Sequence, residues 1–109
     1  MRRVYGKLVR DLVPAIMVLN GAVPRVRCLN DEEYLLALRD KAVEEAQELV
    51  AAQNREQILQ ELVDLSEVIQ ALCRAYGFSV EELEATRQRK RQERGGFDGK
   101  FFLESADEP

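Results

Sequence analysis

The sequence predicts an all-α fold, an antiparallel helix-hairpin bundle with a short extended N-terminal segment, completed by oligomerisation. Three observations lead there. Apolar residues recur every three or four positions along the middle of the chain. Asn30 before Glu33, Asn54 before Gln57 and Ser79 before Glu82 each set a capping side chain three residues ahead of Glu or Gln, the pattern of a helix start. Asn54 alone separates the first two long periodic stretches, so those helices must fold back on each other.

Taken in order, Arg2 to Val9 read as extended and basic, with Val4, Leu8 and Val9 as packing points. A short helix is expected over Asp11 to Leu19. Asp11 would cap it, Pro14 sits in the first turn where a missing N–H is harmless, and Gly21 ends it. Val23 to Cys28 alternates apolar and basic residues and reads as a short edge strand. Long helices are expected over 31–53, 55–76 and 80–94, with Gly77 ending the middle one and a frayed tail over 104–109. The length of 109 residues fits one domain, 1–109.

Helix 55–76 carries Ile58, Leu62, Leu65, Ile69, Leu72 and Tyr76 on one stripe, with Leu59, Val63 and Cys73 beside it. Helix 31–53 carries Leu35, Leu38, Ala42, Leu49 and Ala52 on a matching seam. Helices of roughly 33 Å are long for a domain whose radius of gyration is near ~13 Å. Apolar faces that wide call for a second subunit.

Composition excludes several chemistries. With no His, the chain has no Ser-His-Asp or Cys-His catalysis and no imidazole metal site. Its two Cys form neither a CxxC pair nor a disulfide framework, which points to a reducing, cytoplasmic setting. No apolar run approaches the ~20 residues of a membrane span, and no signal peptide is visible. A net charge of −4 argues against a dedicated nucleic-acid binder. Polar chemistry must come from carboxylates, Lys and Arg.

Between Ala42 and Cys73 lie seven acids, Glu44, Glu45, Glu48, Glu56, Glu61, Asp64 and Glu67, against one base, Arg55. Glu45 and Glu48 share a helix face, as do Glu61 and Asp64. A hairpin tip at 54–55 would set Glu48 opposite Glu61 and Glu45 opposite Asp64, so four carboxylates converge. Glu45 also takes a seam position where an apolar residue is expected. A solvated acidic face is the bland alternative. It fares badly, because Glu48, Glu61 and Asp64 have no Lys or Arg three or four residues away, and only Glu45 has one, Lys41. Crowded, half-buried carboxylates need raised pKa values or a cation. An oxygen-only cluster suits a hard ion, Mg²⁺ or its substitute Mn²⁺, and Mg²⁺ so held binds phosphates.

The basic complement lies elsewhere. Arg87, Arg89, Lys90, Arg91 and Arg94 gather toward the end of the last helix, before Gly95-Gly96-Phe97, and Lys7 and Arg10 lie near the N-terminus. A helix C-terminus attracts cations through its dipole, which accounts for about two of the five. The remainder suit an anionic ligand, phosphates or a nucleic-acid backbone. Phe97, Phe101 and Phe102 could stack on a base or anchor the tail.

Glu44-Glu45-x-x-Glu48 followed by Glu61-x-x-Asp64 resembles the signature of the all-α NTP pyrophosphatases, the MazG-like superfamily. Tyr5-Gly6-Lys7-Leu8-Val9-Arg10-Asp11 and Lys90-Arg91-Gln92-Glu93-Arg94-Gly95-Gly96-Phe97 resemble its phosphoribosyl-ATP pyrophosphohydrolase-like house-cleaning branch. Leu12 and Ala15 depart from that branch's usual Lys and Glu. The resemblance implies an Mg²⁺-dependent hydrolase that cleaves the α–β phosphoanhydride of a noncanonical nucleoside triphosphate. It implies a homodimer or tetramer. By the same resemblance Glu45, Glu48, Glu61 and Asp64 would be metal ligands, and Glu44 an accessory ligand or water-orienting base. Lys90 and Arg94, with Lys7 and Arg10 behind them, would contact phosphate. Two rivals stand beside this reading: phosphoribosyl-ATP of histidine biosynthesis as the substrate, and a non-enzymatic helical module that binds nucleic acid or a partner through 87–94.

Overall fold

The structure is a computed structural model describing residues 1–109. It holds four helices and no strand: α1 (Val13–Leu19), α2 (Asp31–Ala51), α3 (Arg55–Tyr76) and α4 (Val80–Arg94). The chain divides into two compact units, Met1–Gly77 and Phe78–Pro109.

In the first unit α2 and α3 form the antiparallel hairpin. The starts of both follow the sequence. Asn30 accepts a hydrogen bond from the Glu33 amide while the Glu33 carboxylate accepts one from the Asn30 amide, a complete capping box. Asn54 caps α3 by accepting from the Gln57 amide, but the Gln57 side chain accepts from Gln53 rather than from Asn54. Gly77 ends α3 at φ 78°, a left-handed conformation that glycine adopts without a Cβ clash.

Three expectations need correction. First, α2 stops at Ala51, two residues early, so three residues (52–54) rather than one join the hairpin. Ala52 is already extended at ψ 136°, because the chain must straighten to present Gln53 and Asn54 to the first turn of α3. Second, α1 starts at Val13 without a side-chain cap. Asp11 falls instead in a turn closed by the Val13 amide on the Arg10 carbonyl. Third, residues 23–28 form no strand: the chain offers no other strand to pair with, and Pro24 lacks a donor. Arg27 instead reaches both Glu33 carboxylate oxygens, at 3.3 and 3.1 Å, tying the segment to the start of α2.

The hairpin core is thin. Leu38, Val68 and Cys73 are its buried apolar residues, and Leu35, Leu49, Leu65 and Leu72 are half-buried around them. Ile58, Leu62, Ile69 and Tyr76 keep 41%, 48%, 41% and 47% of their surface, so four of the six residues of the expected α3 stripe stay uncovered within one chain. One charged residue shares the core: Glu45, at 6% exposure.

The second unit holds α4. Ser79 caps it through the Glu82 amide, and its last turn carries Arg91 and Arg94. Residues 95–109 continue without regular secondary structure, the expected tail included.

Candidate active site

The α2–α3 hairpin brings three carboxylates from two helices to one point. Oxygens of Glu45, Glu61 and Asp64 all lie within 4.8 Å of one another. Glu45 occupies a buried seam position of α2, while Glu61 and Asp64 sit half-buried on consecutive turns of α3. Glu45 and Asp64 thus come together across the hairpin, while Glu48 is exposed and lies outside this close group. Its charge nevertheless acts on the Glu61 carboxyl.

The cluster is incompletely satisfied. Glu45 Oε2 and Glu61 Oε2 are both cut off from solvent and accept no hydrogen bond. Leaving a buried charged acceptor unpaired is among the costlier arrangements in a protein. Burial first, then the negative charge of Glu48 and of its cluster mates, pushes the Glu61 carboxyl up from its ordinary range.

The expectation that Asp64 lacks a basic partner is overturned. Arg10 Nη2 lies 2.7 Å from Asp64 Oδ1, and Lys7 Nζ lies 2.7 Å from Glu44 Oε1. Both cations arrive from the N-terminal segment, where no helix spacing could reveal them. Gly6, at φ 58°, makes the turn that delivers Lys7. Lys41 bridges Glu44 at 3.1 Å and Glu45 at 3.4 Å with only 16% of its side chain exposed, so it belongs to the site as well. Its i+3 and i+4 spacing to the two acids was the available signal. The hydrogen bond from Lys7 leads in holding Glu44 below the usual carboxylate range, and the same bond raises Lys7. No ion pair reaches Glu48 or Glu61.

Charge and donor chemistry together test the fit of a metal. Glu44, Glu45, Glu48, Glu61 and Asp64 carry five negative charges, and Lys7, Arg10 and Lys41 return three, leaving −2. Two orphaned buried oxygens in an all-oxygen cluster of that charge fit one hard divalent ion.

On α4 the five cations divide. Arg87 is held by Glu84 at 2.6 Å, a pair that brings the Glu84 carboxyl down to about 2, led by the Arg87 hydrogen bonds. Arg91 stands 3.9 Å from Asp98. Arg89, Lys90 and Arg94 enter no ion pair, and so keep their charge available to an anion.

Comparison with known proteins adds to this geometry. Residues 27–91 match the model of the family described as phosphoribosyl-ATP pyrophosphohydrolase, a stretch that contains all five acids of the site and Lys41. An uncharacterised protein of Mycolicibacterium smegmatis (strain ATCC 700084 / mc(2)155) is 43% identical over 55 residues, 50% of this chain and 56% of that protein. The match thus spans little more than half of the relative's length. No solved structure matches the chain.

Proposed function

This chain belongs to the phosphoribosyl-ATP pyrophosphohydrolase family, within the MazG-like all-α NTP pyrophosphatase superfamily, and we propose that it hydrolyses a noncanonical nucleoside triphosphate to the monophosphate and pyrophosphate. The observation that carries this reading is the cluster of Glu45, Glu61 and Asp64 with its two unpartnered, solvent-free oxygens. In this reading Glu45, Glu61 and Asp64, with Glu48 at the edge, hold Mg²⁺, for which Mn²⁺ can substitute. When bound, that ion neutralises phosphate charge and lowers the pKa of a coordinated water.

The chain's own groups do the rest. Glu44, already ionised by its lysine contacts, accepts a proton from the attacking water or orients it. Lys90 and Arg94, free of ion pairs, bind phosphate oxygens, and Arg10 and Lys7, paired with Asp64 and Glu44 without an ion, turn to phosphate once those carboxylates are taken up. The uncovered Ile58, Leu62 and Ile69 on α3 exceed what a monomer needs and support a homodimer or tetramer. No helix is long and apolar enough to cross a membrane; a cytoplasmic location remains part of the proposal.

The family's own description favours a second substrate, phosphoribosyl-ATP, cleaved at the corresponding anhydride. A panel of canonical and modified nucleoside triphosphates plus phosphoribosyl-ATP, assayed for pyrophosphate with Mg²⁺, decides between them. Pyrophosphate from phosphoribosyl-ATP alone selects the biosynthetic role. Pyrophosphate from no member of the panel removes the enzyme reading.

A further inference from the structure

We propose that Arg10 is an internal cation that occupies Asp64 until a divalent ion displaces it, so that metal occupancy controls whether the N-terminal segment is held on the hairpin or released. The inference rests on the metal-binding reading of the cluster and concerns how that site is regulated.

Four observations support it. Arg10 Nη2 is 2.7 Å from Asp64 Oδ1, and Asp64 is one of the three residues whose oxygens converge within 4.8 Å. A guanidinium there takes a carboxylate oxygen that a hard ion would ligate, and it repels that ion as a like charge. Arg10 also leaves the job unfinished: Glu45 Oε2 and Glu61 Oε2 remain buried without a partner, so a cation reaching all three acids replaces one that reaches a single acid. Finally, the hold is reversible by construction. The Arg10 side chain is 54% exposed, and exposed ion pairs contribute little and exchange readily.

The carrier segment suits release. Residues 1–10 have no regular secondary structure, and among them only Leu8 and Val9 are half-buried, so letting go of Asp64 unfolds no helix. Lys7, on Glu44 at 2.7 Å, is the second tether of the same segment. Reciprocity follows: if the ion loosens the arm, the arm must weaken the ion by the same factor.

The test is Mn²⁺ titration calorimetry without nucleotide on the wild-type chain, Arg10→Gln and Arg10→Lys, with amide hydrogen exchange of residues 2–10 in the wild type with and without Mg²⁺. Arg10→Gln should bind Mn²⁺ about five- to tenfold more tightly. Arg10→Lys, which keeps the charge, should stay near wild type. Exchange over 2–10 should accelerate when Mg²⁺ is added. If wild type binds Mn²⁺ and Arg10→Gln binds it equally or more weakly, the displacement is overturned while the metal site stands. Unchanged or slower exchange with Mg²⁺ overturns it too, and decides the matter should Arg10→Gln fail to fold. No Mn²⁺ binding by any of the three proteins removes the metal site and this inference together.

Discussion

Glu45 on α2 and Glu61 on α3 meet across the hairpin, each holding one carboxylate oxygen that neither solvent nor a hydrogen-bond donor reaches. Two like charges share a poorly solvated point, and the metal-free fold bears the cost.

That cost has a sign that can be worked out. The Glu61 carboxyl titrates above its ordinary range in the folded chain, chiefly through burial. The folded state therefore holds that proton more tightly than the unfolded state does. Stability from this group is greatest at acid pH, and it falls as pH climbs through the ordinary carboxylate value near ~4.3 to the raised one. Glu61→Gln removes the dependence. Without metal, the variant should melt above wild type at pH 7.5, and the difference should vanish near pH 3. A metal-free Glu61→Gln chain that melts below wild type at pH 7.5 contradicts the geometry.

Metal should reverse that order. An ion bound only by the folded chain at 100 times its Kd stabilises it by about 2.7 kcal/mol. For a domain of this size that is a rise in Tm of roughly 10 °C. Wild type should show it in scanning calorimetry with Mg²⁺ or Mn²⁺; Glu45→Gln and Glu61→Gln should not, and Glu48→Gln should show a reduced rise because Glu48 lies at the exposed edge. Equal rises in wild type and Glu45→Gln would place the ion elsewhere.

What could be read ahead, and what could not, follows the range of each interaction. Helix starts at Asn30, Asn54 and Ser79 are settled within three residues, so capping chemistry located them. The acids converge because of spacing along helices and the sense of the hairpin, both local properties. The end of α2 escaped because Ala52 and Gln53 are good helix formers, and only the needs of the next helix make them extend. Arg10 on Asp64 lies 54 positions away in sequence, beyond any periodicity. The alternation in 23–28 misled for a related reason: a strand exists only with a partner, and partners are non-local.

The uncovered α3 face predicts assembly. Ile58, Leu62 and Ile69 expose more than two-fifths of their surface at spacings of four and seven, a continuous apolar stripe on one helix side. Light scattering at micromolar concentration should give at least a dimer mass. Ile69→Asp places a charge in the stripe and should shift the mass toward monomer or lower Tm by several degrees. A wild-type monomer at that concentration, folded by circular dichroism, would contradict the reading.

The last prediction concerns the bond that breaks. The carboxylates on the α2–α3 hairpin suit an ion that grips phosphates, and the unpaired cations on α4 are chemically suited to phosphate in their own right. Hydrolysis at the α–β anhydride gives monophosphate and pyrophosphate; hydrolysis at the β–γ anhydride would give diphosphate and orthophosphate. Separate assays for pyrophosphate and orthophosphate should find the first product alone. Arg94→Ala should raise KM or lower kcat about tenfold, the loss of one charge-assisted contact of about 1.4 kcal/mol. It should leave the Mg²⁺-induced rise in Tm unchanged, because the proposed role of Arg94 is to bind phosphate and not the ion. Arg87→Ala should matter less for turnover, since Glu84 already holds that guanidinium at 2.6 Å. Orthophosphate as the product would reassign the reaction. Wild-type turnover in both Arg94→Ala and Glu45→Gln would show that the reacting site lies elsewhere on the chain.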